Sequence, residues 1–345
     1  MKKYLIIFSL VIVCILIFLF GCEYFQLIDY KEWLKKTGND KVAIYACGSL
    51  NSDTNWVYWK NNERPVYLED ASGTYRANSI FVYNKDVYVS GSDSSNYACY
   101  WKNGKKVSLS SVANSYSRGI YVIDGVVLNA VRVNSGLAEL WRDNVRYELK
   151  VPGPSSEIRE PACLFAEKNG YGDIDIIVGG HYRPSPDYPC YWSNWGNKLT
   201  MLTPSGGANT YINSVFLYNN KVYSCGFVDG TTGYCWEDNA VKYDLGANVL
   251  YSIYVDKGEI YLAGYNNVPP SYPYFWKNTN SFQLSSTDGD RAYSIKVFND
   301  DVYVGGQSGY ACYWINGSGP YYFNSEGLNS SISQAGSSIF VTWDY

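Results

Sequence analysis

The chain has 345 residues, of which 46% are hydrophobic and 17% charged, and a net charge of −4. That is ample apolar material for a core, and it excludes a disordered or low-complexity chain. A mildly acidic sequence with no run of like charges also lacks the basic stripe expected of a nucleic-acid-binding protein. The excess is in tyrosine, at 36 copies, a residue that suits strands because its ring packs on a pleated surface while its hydroxyl reaches water.

In chain order, residues 1–21 read as an export signal. Lys2 and Lys3 form a basic start, Tyr4 to Phe20 is almost wholly apolar, and Leu19-Phe20-Gly21-Cys22 resembles a bacterial lipobox. That resemblance implies lipidation at Cys22 and a place in the bacterial cell envelope, facing the periplasm or the cell exterior. An uncleaved signal anchor is the alternative, the apolar run being at the lower limit for a span. Without Lys2 and Lys3 the net charge becomes −6. Residues 22–41 follow as a tether: Tyr24, Phe25, Ile28, Trp33 and Leu34 recur in a helical rhythm that ends at Gly38-Asn39-Asp40.

From residue 42 onward one unit repeats. A Ser-Ile-x-Val strand is followed by a short polar turn, a Val-Tyr-Val-x-Gly strand, a loop and an aromatic-Trp strand. The repeat tryptophans are Trp59, Trp101, Trp141, Trp192, Trp236, Trp276 and Trp314, spaced by 42, 40, 51, 44, 40 and 38 residues, as expected of four-stranded propeller blades. Seven inner strands accompany them: Ser79-Ile80-Phe81-Val82, Gly119-Ile120-Tyr121-Val122, Ala162-Cys163-Leu164-Phe165, Ser214-Val215-Phe216-Leu217, Ser252-Ile253-Tyr254-Val255, Ser294-Ile295-Lys296-Val297 and Ser338-Ile339-Phe340-Val341. Asn-Gly turns such as Asn103-Gly104 and Asn316-Gly317 supply the positive φ of two-residue hairpins. Glycines close the second strands at 48, 91, 180, 226, 264 and 306, with Ala130 in that place in the third blade, where Leu140 precedes Trp141. The tryptophans read as filling between blades.

The last inner strand stands alone at the C-terminus, and the first second strand, Val42 to Gly48, has no inner strand before it. A ring closed by pairing the two ends accounts for both. The expected fold is therefore all-β, a seven-bladed β-propeller over residues 42–345 with four-stranded blades, closed by the C-terminal strand. The cysteines from Cys47 onward sit at repeat positions and read as buried thiols, with Cys225 and Cys235, on neighbouring strands, the one pair worth testing for a disulfide.

Val302-Tyr303-Val304-Gly305-Gly306 resembles the Gly-Gly strand of kelch repeats, and Trp101-Lys102-Asn103-Gly104 with Leu109 resembles bacterial extracellular repeats of the HAF type. The likeness covers all seven blades in pattern. It implies a binding or scaffold module and specifies no activity.

Alternating hairpins put the short turns on one face of the disc and the long loops on the other. Those loops, 151–157, 181–188 and 266–272, make the second face the expected binding face. At its centre, four residues before the second position of the inner strand, stand Arg76, Arg159 and Arg291, with Tyr116 and Tyr211 in other blades and Arg118 just beyond. Arginine forks suit carboxylates, sulfates and phosphates. The bland reading is that these arginines pair with nearby acids such as Asp70, Glu160, Asp288 and Asp290. His181 is the only histidine and reads as solvated in a Pro-rich loop. No catalytic motif, cofactor site or metal-ligand run is evident, so a non-enzymatic binder of a glycan, peptide or envelope protein is favoured. The alternatives are a glycoside hydrolase or lyase at the channel mouth, or a structural scaffold of an envelope complex.

Overall fold

The computed structural model describes residues 41–51, 55–72, 77–133, 136–143, 145–150, 158–183, 188–203, 210–332 and 338–344. The expectations for the signal, Cys22, the tether and Arg76 lie outside the described residues. The chain divides into a small unit, 1–43 with 343–345, and a large unit running from Ile44 to Thr342. The large unit is the propeller.

Seven antiparallel sheets follow one another, each four strands deep from the axis outward. We number them as blades in chain order. Blade 2 spans Ala77 to Ser108, blade 3 Tyr116 to Glu148, blade 4 Ile158 to Met201, blade 5 Tyr211 to Asp244, blade 6 Asn248 to Gln283 and blade 7 Arg291 to Tyr322. Blade 1 takes its outer three strands, Lys41–Leu50, Asn55–Lys60 and Val66–Ser72, from the start of the chain and its inner strand from the end. The C-terminal strand Ile339–Asp344 pairs with Lys41–Leu50, and Cys47 N donates to Ser338 O at 3.1 Å. Ring closure is as the phase of the repeat demands.

The inner strands share a bulge. In blade 7 Ala292 opposes Gly306 and Ser294 opposes Gly305, leaving Tyr293 unpaired, and the same single residue is skipped in blades 2, 3, 4, 5 and 6. Blade 1 instead divides its inner strand, with Ser330–Ile332 paired to Gly48–Leu50 and Ser338 resuming opposite Cys47. The glycine that faces the bulge is required by contact. A Cβ on Gly226 would lie 1.9 Å from Tyr211 O, and one on Gly264 2.0 Å from Val249 O.

This register corrects two frames. In blade 3 Gly119 opposes Ala130 and Ser117 opposes Val131, so Val131, not Ala130, occupies the glycine place. In blade 4 Cys163 opposes Gly179, so its inner strand aligns as Cys163-Leu164-Phe165-Ala166, one residue later than the apolar run suggests.

Two rings of side chains hold the disc. Between blades, six of the repeat tryptophans are 3% exposed or less. Trp59, Trp101, Trp192 and Trp236 donate their indole N–H to the backbone of the preceding blade, at Asn324 O (2.9 Å), Glu69 O (2.7 Å), Lys150 O (2.9 Å) and Thr203 O (2.7 Å). Along the axis, the third residue of each inner strand forms a second ring. Its members are Phe340, Phe81, Tyr121, Phe165, Phe216 and Tyr254, with neighbouring centroids 4.3–5.4 Å apart. Lys296 completes it, its amine 5.3 Å from the Tyr254 ring. The ring leaves a cavity of about 30 Å³, so the axis is closed to anything larger than a water or two.

Candidate functional site

The bulged inner strands set a ring of positions at the long-loop end of the axis, each paired with the residue after the second-strand glycine. Arg291 opposes Gln307, Tyr116 opposes Arg132 and Tyr211 opposes Phe227. In blade 4 the residue at that position is Glu160, opposite His181. Arg159 lies one position further out, opposite Tyr182, because the blade-4 frame is shifted by one. Arg118 occupies the bulge of blade 3, its guanidinium 5.8 Å from the Tyr116 ring.

Two groups of side chains result. Across blades 3 to 5, Arg132 Nη2 reaches Glu160 Oε1 at 2.9 Å and His181 Nε2 lies 3.7 Å from Glu160 Oε2. The His181 ring stands edge-on to Tyr211 at 4.7 Å, and Tyr211 packs on Phe227 at 5.3 Å. His181 is only 2% exposed. It is not solvated in a loop, because the second strand of blade 4 continues past its glycine to Arg183 and carries the imidazole inside.

Across blades 6 and 7 the Arg291 guanidinium lies over the Tyr265 ring, 4.0 Å from its centroid. Tyr265 stacks on Tyr251 at 6.0 Å, and Tyr251 meets Tyr293 edge-on at 5.2 Å. Burial pushes the Tyr251 hydroxyl well above the usual tyrosine range, with the neighbouring Tyr265 and Tyr293 adding to the shift. It is a neutral donor at any physiological pH.

The nearby acids do not neutralise Arg291. Asp290 accepts the Ser285 hydroxyl at 2.6 Å and Asp288 accepts Ser271 N at 2.8 Å, while Arg291 Nη1 donates to the backbone carbonyl of Asp290 at 2.8 Å. Asp70 is held by Lys106 at 2.5 Å. Among the described residues Arg291 makes no ion pair, and an arginine fork stacked on tyrosine with its charge uncompensated is suited to a carboxylate, sulfate or phosphate. Tyr251, Tyr265 and Tyr293 were not singled out by the sequence pattern, although the recurrence Tyr251-Ser252-Ile253 and Tyr293-Ser294-Ile295 carries the signal. Both tyrosines are bulge residues.

The described cysteines are all free and buried. Cys225 and Cys235 face each other in register as thiols. Groups of three or more His, Cys, Asp or Glu side chains placed to hold a metal do not occur among the described residues.

No protein-family model matches the chain, and no curated protein matches it. Among solved structures it is similar to the computationally designed protein Ika8, at 12% identity over 87% of this chain and 96% of that one, with a TM-score of 0.47. It is similar to the propeller of Dos1, at 12% identity, 81% and 80% coverage and a TM-score of 0.48. The WD40 β-propeller domain of Doa1 matches at 13% identity, 76% and 86% coverage and a TM-score of 0.46. The assignment of the fold rests on the strand pairing described above.

Proposed function

We propose that this chain is an exported, lipid-anchored binding module of the bacterial envelope, which takes an anionic group of a glycan, peptide or envelope protein at the long-loop end of the propeller axis. The observation that carries this reading is Arg291. Its guanidinium lies over the Tyr265 ring, beside the Tyr251 and Tyr293 cluster, and has no ion-pair partner among the described residues. Tyrosine and arginine together are the side chains most enriched where binding energy concentrates. Export and anchoring rest on Lys2-Lys3, the apolar run and Gly21-Cys22, and the kelch-like and HAF-like repeats fit a binding or scaffold role. The hydrolase reading has less support, since Glu160, the acid at the ring position, is paired with Arg132 at 2.9 Å.

The test is an array of acidic peptides and of sulfated or uronic oligosaccharides, each beside a neutral counterpart, probed with the full chain in detergent. Acidic probes should bind, Arg291→Ala should weaken them by about tenfold or more, and Arg291→Lys, which keeps the charge but not the planar fork, should fall between. Binding to none of the acidic probes, or undiminished binding by Arg291→Ala, would remove the site. Turnover of a polysaccharide would replace the proposal with the hydrolase.

A further inference from the structure

The seven blades are copies of one plan, so each blade is an internal control for the others. On the short-turn face, the hairpin between the first and second strands has two residues in blades 2, 3, 5, 6 and 7. In blade 4 it has five, Asn169 to Asp173. The hairpin between the third and fourth strands has two residues in blades 2, 3, 5, 6 and 7. In blade 4 it has four, Asn194 to Asn197. Blade 1 is longer in the second of these, but only blade 4 among these departs in both. Its two enlarged turns sit beside a cleft of about 830 Å³ that runs from Asp124 and Arg142 of blade 3 to Asn220 of blade 5. That volume is within the range of small-molecule sites, and it lies on the face opposite Arg291.

The enlarged turns bring chemistry with them. Trp195 sits in the cleft wall with φ at +57°, a left-handed conformation that a bulky side chain adopts only under constraint. Its indole is steadied by Arg142 at 5.3 Å and Tyr147 at 5.8 Å. Tyr171, at the tip of the other turn, is 95% exposed. Between them, Asn169 shapes its own turn by accepting Tyr171 N and Asp173 N, each at 3.0 Å, and donates to Asp175 Oδ1 at 3.2 Å. The side chain of Asp173 has no hydrogen-bond or ion-pair partner among the described residues. Lys168 is already taken by Asp124 at 2.5 Å, so the cleft has no surplus of cations to attract an anion.

We infer that this cleft is a second binding site, independent of the one at Arg291, and that it takes a neutral saccharide. A pyranose has a C–H face, which lies well on the cleft side of a half-buried indole such as Trp195, and a belt of hydroxyls. Carboxylates such as Asp173 and Asp175 accept from vicinal hydroxyls through charge-assisted hydrogen bonds, and the amides of Asn194 and Asn220 can donate or accept. The cleft supplies both, on turns held by a rigid scaffold.

The test is to screen the full chain on an array of neutral oligosaccharides and to titrate the best of cello-, chito-, manno- and maltohexaose, following tryptophan emission and heat. Saturable binding to at least one is expected. Trp195→Gly removes the indole while fitting the positive φ, and Asp173→Asn changes one exposed side chain at constant size. Each should weaken binding at least tenfold, Asp173→Asn with an unchanged melting transition and Trp195→Gly with a lowered one, as for a half-buried side chain, that leaves the chain folded. Arg291→Ala should leave binding unchanged. The proposal is overturned if no neutral saccharide saturates, if both cleft variants bind as the parent does, if Arg291→Ala abolishes binding, or if the cleft takes peptides instead.

Discussion

The two rings of repeated side chains each contain one departure, in burial for one and in residue type for the other, and they differ in opposite ways. In the interblade ring the identity is constant and the environment changes. Trp141 is a tryptophan like the rest, in register opposite Asn129, yet it is only half-buried. Its indole N–H goes to Glu139 Oε2 of its own blade at 2.9 Å instead of to the preceding blade. Glu139 stands where blades 2, 4 and 7 have Cys99, Cys190 and Cys312, and it is pinned by Arg146 at 3.2 Å. In the axial ring the environment is constant and the identity changes, Lys296 standing where six blades have an aromatic. The first exception teaches that a conserved residue type in a repeat does not guarantee its conserved contact. The second teaches that a repeated position can keep its burial while the chemistry placed there changes.

The largest effect should come from removing what both rings share, their closure. Deleting residues 336–345 takes away Phe340 from the axial ring and the strand that covers blade 1, exposing the edge of the Lys41–Leu50 strand to other chains. The expected outcome is loss of the cooperative urea transition, or aggregation. An unchanged transition would refute the ring. Next comes the contrast within the interblade ring. Trp192→Ala should cost about 3–5 kcal/mol, the usual range for a fully buried tryptophan, and it also strands Lys150 O. Trp141→Ala should cost about 1 kcal/mol, as for a half-exposed side chain. Equal shifts in the urea midpoint would mean that Trp141 shares the load of the others.

Most of this architecture is written locally and was therefore legible. Seven tryptophans, the Ser-Ile-x-Val strands, the Asn-Gly turns and the orphan strand at 338–341 each act within a few residues of themselves. The frame failed where local phase markers are missing. Blade 4 has Cys163 where most blades have Ser, so Ala162 to Phe165 reads as one apolar run, and the slip exchanged Glu160 for Arg159 at the site. His181 was misread because nothing in Gly179-Gly180-His181-Tyr182 shows that the strand continues. The axial ring was in plain view as Phe81, Tyr121, Phe165, Phe216, Tyr254, Lys296 and Phe340. Strands buried on both faces lose the polar alternation that would mark such a column. The blade-4 cleft depends on two turns, more than twenty residues apart, landing side by side, which is a tertiary fact.

The axial exception gives the effect with the sharpest pH signature. Lys296 is half-buried and borders the small axial cavity among aromatic rings, and among the described residues it has no carboxylate partner. Burial lowers its pKa from 10.5 to about 8. Below pH 8 the amine is protonated in both folded and unfolded chains, and the fold bears the full cost of the buried charge. Between about pH 8 and 10.5 the folded chain releases that proton while the unfolded chain keeps it, so this group's penalty is relieved as pH rises, by about 1.4 kcal/mol per pH unit. The buried thiols act in the opposite direction. Burial raises all seven described cysteines, so the stability they contribute is present below the unfolded thiol pKa near 9 and is lost above it. Absolute stability should therefore fall at alkaline pH, and the lysine is visible only by difference. Lys296→Met should be more stable than the parent by about 2–3 kcal/mol at pH 7, and the gap should close between pH 8 and 10.5. A gap that stays constant across that range would show that packing alone, and not a buried charge, distinguishes Lys296 from the six aromatics around it.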